Sequence, residues 1–555
     1  MEPLNRLKRR STDLLKQAQE NLHTKVDMPN LSEIQGRLPS LPHFRQKKTR
    51  PANDVQATWE RIDIPSLPRS SHTLNVVSGC AYVFGGEVEP RQPVDNDMHI
   101  IRLPFSSAGA DYHKVRAKAT ALPEQSQQQH SPPALSESPT AHQAQSSLDD
   151  VALQETSSGK GKEIAKDEAS GMGQVPGPRV GHATAVIGSR IFLFGGRGGP
   201  DMQPLQEAGR VWVYDTRSHT WSYLDPAPAV KGGAIVPHPA PRSYHCATAT
   251  NRPHDTPHPA GFKKPQTWRQ WALGDAAKTG IPQKPVVGYV AEEAVDQESD
   301  GYGTLLIHAG CLASGDRTGD LWAFDVRART WTELPAAPGP SRGGSSICIS
   351  KSRLYRFGGY DGETEAGGQL DFLHLEVETF DDGHTKAEVA IHARGGWQTI
   401  RQGDADASST EIHAELHQEW PPPRSVASLQ ALTVGGGKEV LVLCMGERAP
   451  SADGHEGAGT LCNDVWTFQV PPLGMTAASL AAAVYQAVGR KTGEGKWQKL
   501  RTGPHDHESG GEVPTPRGWL ASAPMTDVES AVVIWGGLGA DNKRIGDGWI
   551  LRLGE

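Results

Sequence analysis

The stretch that decides the fold reads PRVGH at 178–182, IFLFGGR at 191–197, VWVYD at 211–215 and TW at 220–221. Its apolar, β-branched and aromatic residues come in short runs, which is the composition and length of β-strands. The Gly-Gly pair that ends the second run supplies a sharp turn and the positive φ angles that other residues resist. The stretch therefore predicts four consecutive short strands.

This unit recurs along the chain, and the recurrence predicts the fold. Six arginines open the units: Arg69, Arg179, Arg242, Arg342, Arg424 and Arg517. Six dipeptides that end in glycine close the second strands: Gly85-Gly86, Gly195-Gly196, Ala309-Gly310, Gly358-Gly359, Met445-Gly446 and Gly536-Gly537. Tryptophans are predicted in four of the fourth strands: Trp221, Trp331, Trp397 and Trp497. Because a lone four-stranded sheet cannot bury both of its faces, six such units predict an all-β, six-bladed β-propeller.

The order of the strands predicts how the ring closes. The sequence ends just after a third strand, and an isolated strand of the fourth type, Thr58–Ile62, precedes the first unit. We expect this N-terminal strand to complete the last blade. Such closure removes the exposed sheet edges that promote aggregation.

The propeller is predicted over residues 56–555, with insertions at about 116–175, 251–303, 376–396 and 471–496. The first is rich in Ser, Gln, Ala, Pro and Glu and has almost no aromatic residues, so it cannot bury enough apolar surface to fold. We therefore expect a propeller interrupted by disordered insertions, with an alanine-rich helical segment in the last of them.

Residues 1–55 are predicted to form a basic, partly helical arm. Residues 1–50 contain 11 Lys/Arg and five Asp/Glu, whereas the whole chain has a net charge of −8. Leu7–Arg10 matches part of a nuclear import signal. The alternative is a solvated helix without a targeting role.

Composition argues against several classes of protein. The negative net charge disfavours a general nucleic-acid binder. No apolar run is long enough to span a membrane, and no signal peptide opens the sequence. The six cysteines include no CxxC pair, which is typical of reduced thiols in an intracellular protein. The sequence predicts a protein of the cytoplasm, or of the nucleus if the basic arm is an import signal.

The glycine pairs, the Tyr-Asp third strands and the tryptophans resemble Kelch repeats. More narrowly, the chain resembles the plant nitrile-specifier and thiocyanate-forming proteins from about Trp59 to Leu553. The motifs that carry this resemblance are FGGE at 84–87, RGG at 342–344, RSV at 424–426, GTL at 459–461 and RGW at 517–519. The resemblance implies a Kelch-type propeller with iron(II)-dependent lyase activity on sulfated glucosinolate aglucones.

The resemblance also implies an Fe(II) site with the pattern Glu-x3-Asp-x3-His after the second strand of the fifth unit. Glu447 and His455 stand at the matching positions, but Ser451 takes the place of the aspartate. Asp453, two residues later, is the candidate third ligand, since carboxylates and imidazole suit Fe(II). The alternative is a solvated loop without metal. A rival cluster lies in the first unit: Glu87, Asp95 and His99.

The opening arginines have two interpretations. One is that each pairs with a neighbouring carboxylate or with backbone carbonyls and fixes the geometry of its blade. The other is that they bind an anion, because a guanidinium holds a sulfate or carboxylate with two parallel hydrogen bonds. Arg179, Arg242 and Trp519 match the family positions most directly tied to a ligand.

Two functions follow from the sequence, since a propeller is a scaffold that serves many roles. The first is a protein-interaction or ligand-binding scaffold that works through the loops of one propeller face. The second is the iron-dependent, specifier-like lyase. The expected partner is therefore another protein or a small organic anion.

Overall fold

The computed structural model describes residues 56–105, 108–120, 174–228, 233–254, 302–381, 386–402, 419–452, 457–471, 495–505, 511–525 and 529–554. All of them belong to one compact unit, Val55–Glu555. The predicted basic arm lies outside the described residues, and so do most of the insertions predicted at 116–175, 251–303 and 471–496.

The described residues form a propeller of six antiparallel blades, as the repeats predict. Blade 1 consists of Thr73–Val77, Cys80–Phe84, Met98–Arg102 and Asp111–Val115. Blade 2 consists of Ala183–Ile187, Arg190–Phe194, Val211–Asp215 and Thr220–Leu224. Blade 3 consists of Cys246–Thr250, Thr304–Leu312, Arg317–Asp325 and Thr330–Leu334, with Arg242–Ser243 paired beside the second strand.

The remaining blades follow the same plan. Blade 4 consists of Ser346–Ser350, Arg353–Phe357, Gln369–Asp381 and Gln398–Arg401. Blade 5 consists of Ser428–Val434, Lys438–Cys444, Val465–Gln469 and Trp497–Leu500, with a 3₁₀ turn at Gly435–Gly437. Blade 6 consists of Ala521–Met525, Ala531–Trp535, Gly548–Leu553 and Ala57–Ile62. Two small hairpins lie beyond the blades: Arg197–Gly198 with Gln203–Pro204, and Glu447–Ala449 with Thr460–Leu461.

The N-terminal strand closes the ring, which confirms the prediction. Ala57–Ile62 pairs antiparallel with Gly548–Leu553, so that Ala57 faces Leu553 and Ile62 faces Gly548. On its outer side it pairs in parallel with Thr502–Pro504. The last blade thus takes strands from both ends of the described chain.

The insertion predicted at 376–396 is a β-hairpin, not a disordered segment. The third strand of blade 4 continues to Asp381 and pairs with a further strand, Lys386–Ala393. Leu373, Leu375 and Val377 alternate with polar residues, and this period of two is typical of a strand. The high charge of the segment obscured that alternation.

The tryptophans of the fourth strands join adjacent blades. Trp221 is 1% exposed and lies 5.0 Å, between ring centroids, from both Phe84 of blade 1 and Tyr214 of its own blade. Trp331 packs in the same way between blades 2 and 3 and donates its Nε1–H to the Gly209 carbonyl at 2.8 Å. Each such side chain removes a large apolar area from water, which stabilises the contact between blades.

The glycine dipeptides are required by a close contact with the next blade. In every blade the second residue of the dipeptide donates its N–H to the carbonyl of the next opening arginine. The six bonds run from Gly86 to Arg179, Gly196 to Arg242, Gly310 to Arg342, Gly359 to Arg424, Gly446 to Arg517 and Gly537 to Arg69, at 2.9–3.0 Å. A Cβ at Gly85 would lie only 2.7 Å from the Arg179 carbonyl oxygen, and the φ of Gly85 is 64°. This approach leaves no room for a side chain.

The opening arginines tie each blade to itself. All six are 0–2% exposed. Each donates to the first carbonyl of its own blade's dipeptide: Arg69 to Gly85, Arg179 to Gly195, Arg242 to Ala309, Arg342 to Gly358, Arg424 to Met445 and Arg517 to Gly536. Four of them also donate hydrogen bonds to a carboxylate, and Arg69 forms a longer ion pair of 3.9 Å with Asp95. The four bonds run from Arg179 to Glu207, Arg242 to Asp320, Arg424 to Asp464 and Arg517 to Asp547. These contacts match the structural interpretation of the arginines.

A closed circle of backbone hydrogen bonds surrounds the propeller axis. It joins the six residues that follow each opening arginine by two positions: Ser71, Gly181, Tyr244, Gly344, Val426 and Trp519. Each N–H donates to the carbonyl of the preceding blade's member, and Ser71 donates to Trp519, so the circle has no end. All six have positive φ, from 45° to 64°. We call this set the hydrogen-bonded ring.

Among the described residues, no helix is long and apolar enough to cross a membrane.

Candidate ligand-binding site at the channel mouth

The hydrogen-bonded ring places two aromatic side chains across the channel. Tyr244 of blade 3 and Trp519 of blade 6 meet edge to face, with ring centroids 5.3 Å apart and planes at 82°. Glycine at 181 leaves room for this arrangement, because a Cβ there would lie 2.8 Å from Cε1 of Tyr244. Positive φ is unusual for a tyrosine or a tryptophan and costs about 1–2 kcal/mol. Such strain is typical of functional sites.

A second set of six residues lines the mouth above this pair. Each member directly follows the glycine dipeptide of its blade: Glu87, Arg197, Cys311, Tyr360, Glu447 and Leu538. Each also pairs through its backbone with the residue after the opening arginine. The backbone geometry therefore repeats in all six blades, whereas the side chains differ in charge, size and polarity. We call this set the post-glycine positions.

The mouth contains two adjoining cavities of ≈200 and ≈370 Å³. Five residues line both of them: Arg197, Tyr244, Glu447, Pro450 and Trp519. The larger one takes most of its surface from apolar atoms. A concave, mostly apolar space with a few converging polar groups is typical of a ligand site.

Two arginines face the larger cavity. Arg197 donates its Nε–H to Ser243 Oγ at 2.9 Å, and its guanidinium lies 5.0 Å from the centroid of the Tyr244 ring. Arg317 lies 5.1 Å from the centroid of the Tyr360 ring, and its buried Nε has no partner among the described residues. In the part of the chain that the structure describes, neither arginine forms an ion pair with a carboxylate.

The half-buried Cys311 lies near both guanidiniums. Burial raises the pKa of its thiol, while Arg317 and Arg197 act in the opposite direction. Two positive charges thus converge on one wall of the cavity, and neither arginine forms an ion pair with a described carboxylate. Leaving such charges partly desolvated is unfavourable, and a bound anion would offset that cost.

Two acidic residues of the mouth are buried, since Glu87 is 8% exposed and Glu447 is 5% exposed. Glu87 accepts a hydrogen bond from Arg544 at 2.8 Å, and this ion pair compensates its negative charge. Burial raises the pKa of Glu447 to about 6, against hydrogen bonds from the Trp519 side chain and the Gly459 backbone that lower it. Burial also raises the pKa of Glu365 to about 8. At pH 7 Glu365 is therefore mostly neutral and Glu447 mostly ionised, so the two arginines leave the larger cavity with a net positive charge.

The arginines that the sequence singled out as ligand contacts do not line these cavities. Arg179 and Arg242 are each 1% exposed, and their guanidiniums form two parallel hydrogen bonds with Glu207 and Asp320 respectively. Trp519, by contrast, lines both cavities. The two arginines at the mouth, Arg197 and Arg317, lie in the same two blades as Arg179 and Arg242.

The predicted iron site can be placed only in part. Glu447 lies at the mouth, 5% exposed, and Ser451 lines the smaller cavity. Asp453 and His455 lie outside the described residues. Within the described ranges, no three His, Cys, Asp or Glu side chains converge as metal ligands would. The described residues alone do not form an iron site.

In the rival cluster of blade 1, His99 contacts Asp95 at 3.1 Å and the Tyr112 hydroxyl at 2.9 Å. Arg69 donates to the same imidazole at 3.0 Å. These contacts fill the place that a single carboxylate takes in blades 2, 3, 5 and 6. The cluster therefore completes the framework of blade 1, and Glu87 faces Arg544 instead.

A third cavity, of ≈830 Å³, lies at the opposite end of the channel, where the first strands end. Its lining is more polar and includes Asn75, Thr184, Gln430 and Ser522. These side chains bond in pairs across neighbouring blades, Asn75 with Thr184 at 2.7 Å and Gln430 with Ser522 at 2.9 Å. Their polar groups are thus already satisfied within the fold.

Sequence reasoning missed Arg197, Arg317 and Glu365 as residues of the mouth. A signal for the first existed, because the residue after each glycine dipeptide varies among acidic, basic, polar and apolar side chains from one repeat to the next. Arg317 begins the third strand of blade 3, and Glu365 lies in the connection before the third strand of blade 4. These connections differ in length between blades, so the repeat pattern does not point to either residue.

Comparison with known proteins supports the repeat architecture. Residues 178–228 match the Kelch motif. Host cell factor of Drosophila melanogaster is 27% identical over 253 residues, which cover 41% of this chain and 13% of that protein. Tip elongation aberrant protein 3 of Schizosaccharomyces pombe is 29% identical over 183 residues, 31% of this chain and 14% of that protein. The match thus spans less than one sixth of either relative.

Among solved structures, that of YjhT covers 87% of this chain and 95% of its own, with 11% identity and a TM-score of 0.43. The Kelch motif and the six blades together identify a Kelch-type propeller. The narrower resemblance to nitrile-specifier proteins stays a prediction.

Proposed function

We propose that this Kelch-type propeller is a binding protein whose channel mouth holds a ligand bearing an oxyanion. The observation that carries the proposal is the pair of arginines, Arg197 and Arg317, which face the ≈370 Å³ cavity without a described carboxylate partner. A guanidinium matches a carboxylate, sulfonate or sulfate with two parallel hydrogen bonds. The ligand class is therefore an organic anion.

The rest of the cavity selects for an apolar body attached to that anion. Trp519 and Tyr244 present ring surface at its base, and Leu312 and Val426 add aliphatic surface. A flat or aliphatic group that packs there displaces water from apolar atoms, while the anionic end reaches the arginines. The same chemistry occurs in a small organic acid and in an acidic segment of a partner protein.

Direct titration distinguishes these sources. We would measure the affinity of the chain for naphthalene-1-sulfonate and for its neutral relative, naphthalene-1-sulfonamide, by isothermal titration calorimetry. In parallel, we would titrate a labelled peptide SEFES and its neutral counterpart SQFQS by fluorescence anisotropy. We expect the anionic member of at least one pair to bind, and its neutral member to bind at least tenfold more weakly.

Substitutions connect that affinity to the mouth. Arg197→Gln and Arg317→Gln should each weaken binding of the anionic probe tenfold to a hundredfold, because each removes a charge-assisted hydrogen bond worth about 1.5–3 kcal/mol. Arg217→Gln removes one positive charge from an exposed turn at the opposite end of the channel and should change the affinity less than twofold. Equal affinity for charged and neutral probes, or equal effects of all three substitutions, would refute the proposal.

The iron-dependent lyase remains an alternative that the sequence resemblance suggests. Of the three candidate ligands only Glu447 is among the described residues; it lines the mouth, and its carboxylate already accepts hydrogen bonds from Trp519 and Gly459. Anaerobic titration with Fe(II) and metal analysis, beside Glu447→Ala and His455→Ala, decides the matter. Stoichiometric iron in the wild type that both variants lose would support the lyase. A wild type that binds no iron would rule it out.

A further inference from the structure

We propose that Glu365 contributes to the mouth site as a neutral carboxyl group that donates a hydrogen bond to the bound oxyanion, so that ligand and proton bind together. This inference rests on the proposed anion-binding function and names a residue that controls it. It predicts a site whose affinity depends on pH even for a strong-acid ligand that stays ionised throughout.

The placement of Glu365 is the first argument. Its backbone pairs with the post-glycine residue Tyr360, and its side chain lines the larger cavity. Oε1 accepts a hydrogen bond from the Ser425 hydroxyl at 3.1 Å. Oε2 is buried and has no hydrogen-bond partner among the described residues. An ionised carboxylate with one oxygen in that state is strongly disfavoured, whereas a neutral carboxyl group that rotates about its side-chain bonds can present its O–H to the cavity that Glu365 lines.

The charged neighbours of Glu365 give the second argument. Glu447, on the blade 5 side, and Asp361, in the same turn, are both acidic, and both raise the pKa of Glu365. Cys462 faces it as well, since Glu365 in turn raises the pKa of that thiol. Arg197 and Arg317 line the cavity, but neither forms an ion pair with Glu365 in the described part of the chain. Nothing described next to Glu365 stabilises its charged form except Ser425.

The consequence for binding has a definite sign. Burial is the largest cause that raises the pKa of Glu365 to about 8, so the group is mostly neutral at pH 7. A nearby anion favours the neutral form further. Above pH 8 the ligand must bind beside a carboxylate or pull a proton onto it, and affinity then falls about tenfold per pH unit.

The experiment measures the affinity for naphthalene-1-sulfonate from pH 6.5 to pH 9.5 in the full chain. Wild type should bind about tenfold more weakly at pH 9 than at pH 7. Glu365→Gln keeps a neutral hydrogen-bond donor, so its affinity should change less than twofold over that range. Glu363→Gln is the matched control, because Glu363 is exposed and lies in the same turn. It should follow the wild type.

Calorimetry gives an independent measure of the proton. Titrations at pH 8 in two buffers with different heats of ionisation should show proton uptake when the probe binds to wild type, and none with Glu365→Gln. If wild type binds the probe with the same affinity at pH 7 and pH 9, the inference is wrong and the anion site itself stands.

Failure of the probe to bind at any pH would refute the proposed function instead. Urea unfolding then still tests Glu365, since a carboxyl with a raised pKa in the folded state contributes stability that is lost as the pH rises from the unfolded value toward about 8. The urea midpoint of wild type should therefore fall relative to that of Glu365→Gln between pH 5 and pH 8. Identical profiles would mean that Glu365 is ionised throughout, and would overturn the inference.

Discussion

Two arginines of neighbouring blades, Arg242 and Arg197, have different surroundings. Arg242 is 1% exposed and donates to Asp320 and to the carbonyls of Ala240 and Ala309. Arg197 is half-buried, donates to Ser243 and otherwise faces a cavity. The comparison teaches that residue type does not identify which arginine faces a cavity in this fold. The position in the repeat does, because the turn before the first strand is used by the framework and the turn after the second strand is open.

Removing each arginine in turn should lower the free energy of unfolding strongly for Arg242 and only slightly for Arg197. Arg242→Met leaves Asp320 half-desolvated without its partner, and we expect a loss of about 3–5 kcal/mol in the free energy of unfolding. Arg197→Met removes no ion pair with a described residue and should cost less than about 1 kcal/mol. Urea denaturation at pH 7 measures both. Similar losses for the two variants would show that Arg197 also belongs to the framework.

Two glycines with the same backbone conformation, Gly358 and Gly199, offer a second contrast. Gly358 and Gly199 both have a φ of 70°. A Cβ at Gly358 would collide with the Arg424 carbonyl oxygen, whereas nothing lies within 4 Å of one at Gly199. We expect Gly199→Ala to cost about 1 kcal/mol, which is the penalty of positive φ alone. Gly358→Ala should cost about 3 kcal/mol or more.

Thermal and urea unfolding of the two glycine variants give the required numbers. If the losses differ by less than about 1 kcal/mol, the contact between blades is softer than the dipeptide geometry indicates. Gly358 would then be required for its conformation and not for its lack of a side chain.

Acid provides a third contrast between framework and mouth. Burial lowers the pKa of His245 and of His308 to about 3, from an unfolded value near 6.5. Both groups therefore contribute stability that is complete above pH 6.5 and is lost as the pH falls toward 3. The loss is about 1.4 kcal/mol per pH unit for each histidine, or about 2 kcal/mol each between pH 6.5 and pH 5.

The framework is thus expected to weaken in acid, whereas the affinity of the mouth weakens in base. In His245→Phe, the loss of stability between pH 6.5 and pH 5 should be smaller by the amount that one histidine contributes. The variant should fold, because the imidazole packs edge-on against Phe194 at 5.6 Å and a phenyl ring can take its place. Melting temperatures from pH 7.5 to pH 5 test this. If the melting temperature of the variant falls with pH as steeply as that of wild type, His245 is not protonated on unfolding.

The sequence predicted the fold well because the framework repeats. The opening arginines, the glycine dipeptides and the fourth-strand tryptophans each serve the same contact in every blade where they occur, so the repetition itself reveals the architecture. Closure by Thr58–Ile62 followed from the phase of the repeats, and the structure confirms it with the strand Ala57–Ile62. The hairpin at 376–396 was missed because its charges concealed the alternation of a strand.

The site could not be predicted in the same way. Arg179 and Arg242 stood out because the resemblance ties their positions to a ligand, yet both belong to a set of arginines that repeats in every blade and that the scaffold needs. Arg197, Cys311 and Tyr360 share a position but no chemistry, so no motif connects them. Arg317 and Glu365 reach the cavity through turns of unequal length, and only the folded backbone brings them together.

The hydrogen-bonded ring has an electrostatic consequence. Its six peptide groups follow one another head to tail around the axis, so their dipoles circulate and cancel to a large degree along the channel. A helix terminus pointed at the mouth would bring a fixed partial charge of one sign, but this ring brings almost none. Because the ring contributes so little, the side chains around the mouth determine the sign of its electrostatic potential. Exchanging the residues at the post-glycine positions could reverse its sign while every backbone hydrogen bond of the ring stays in place.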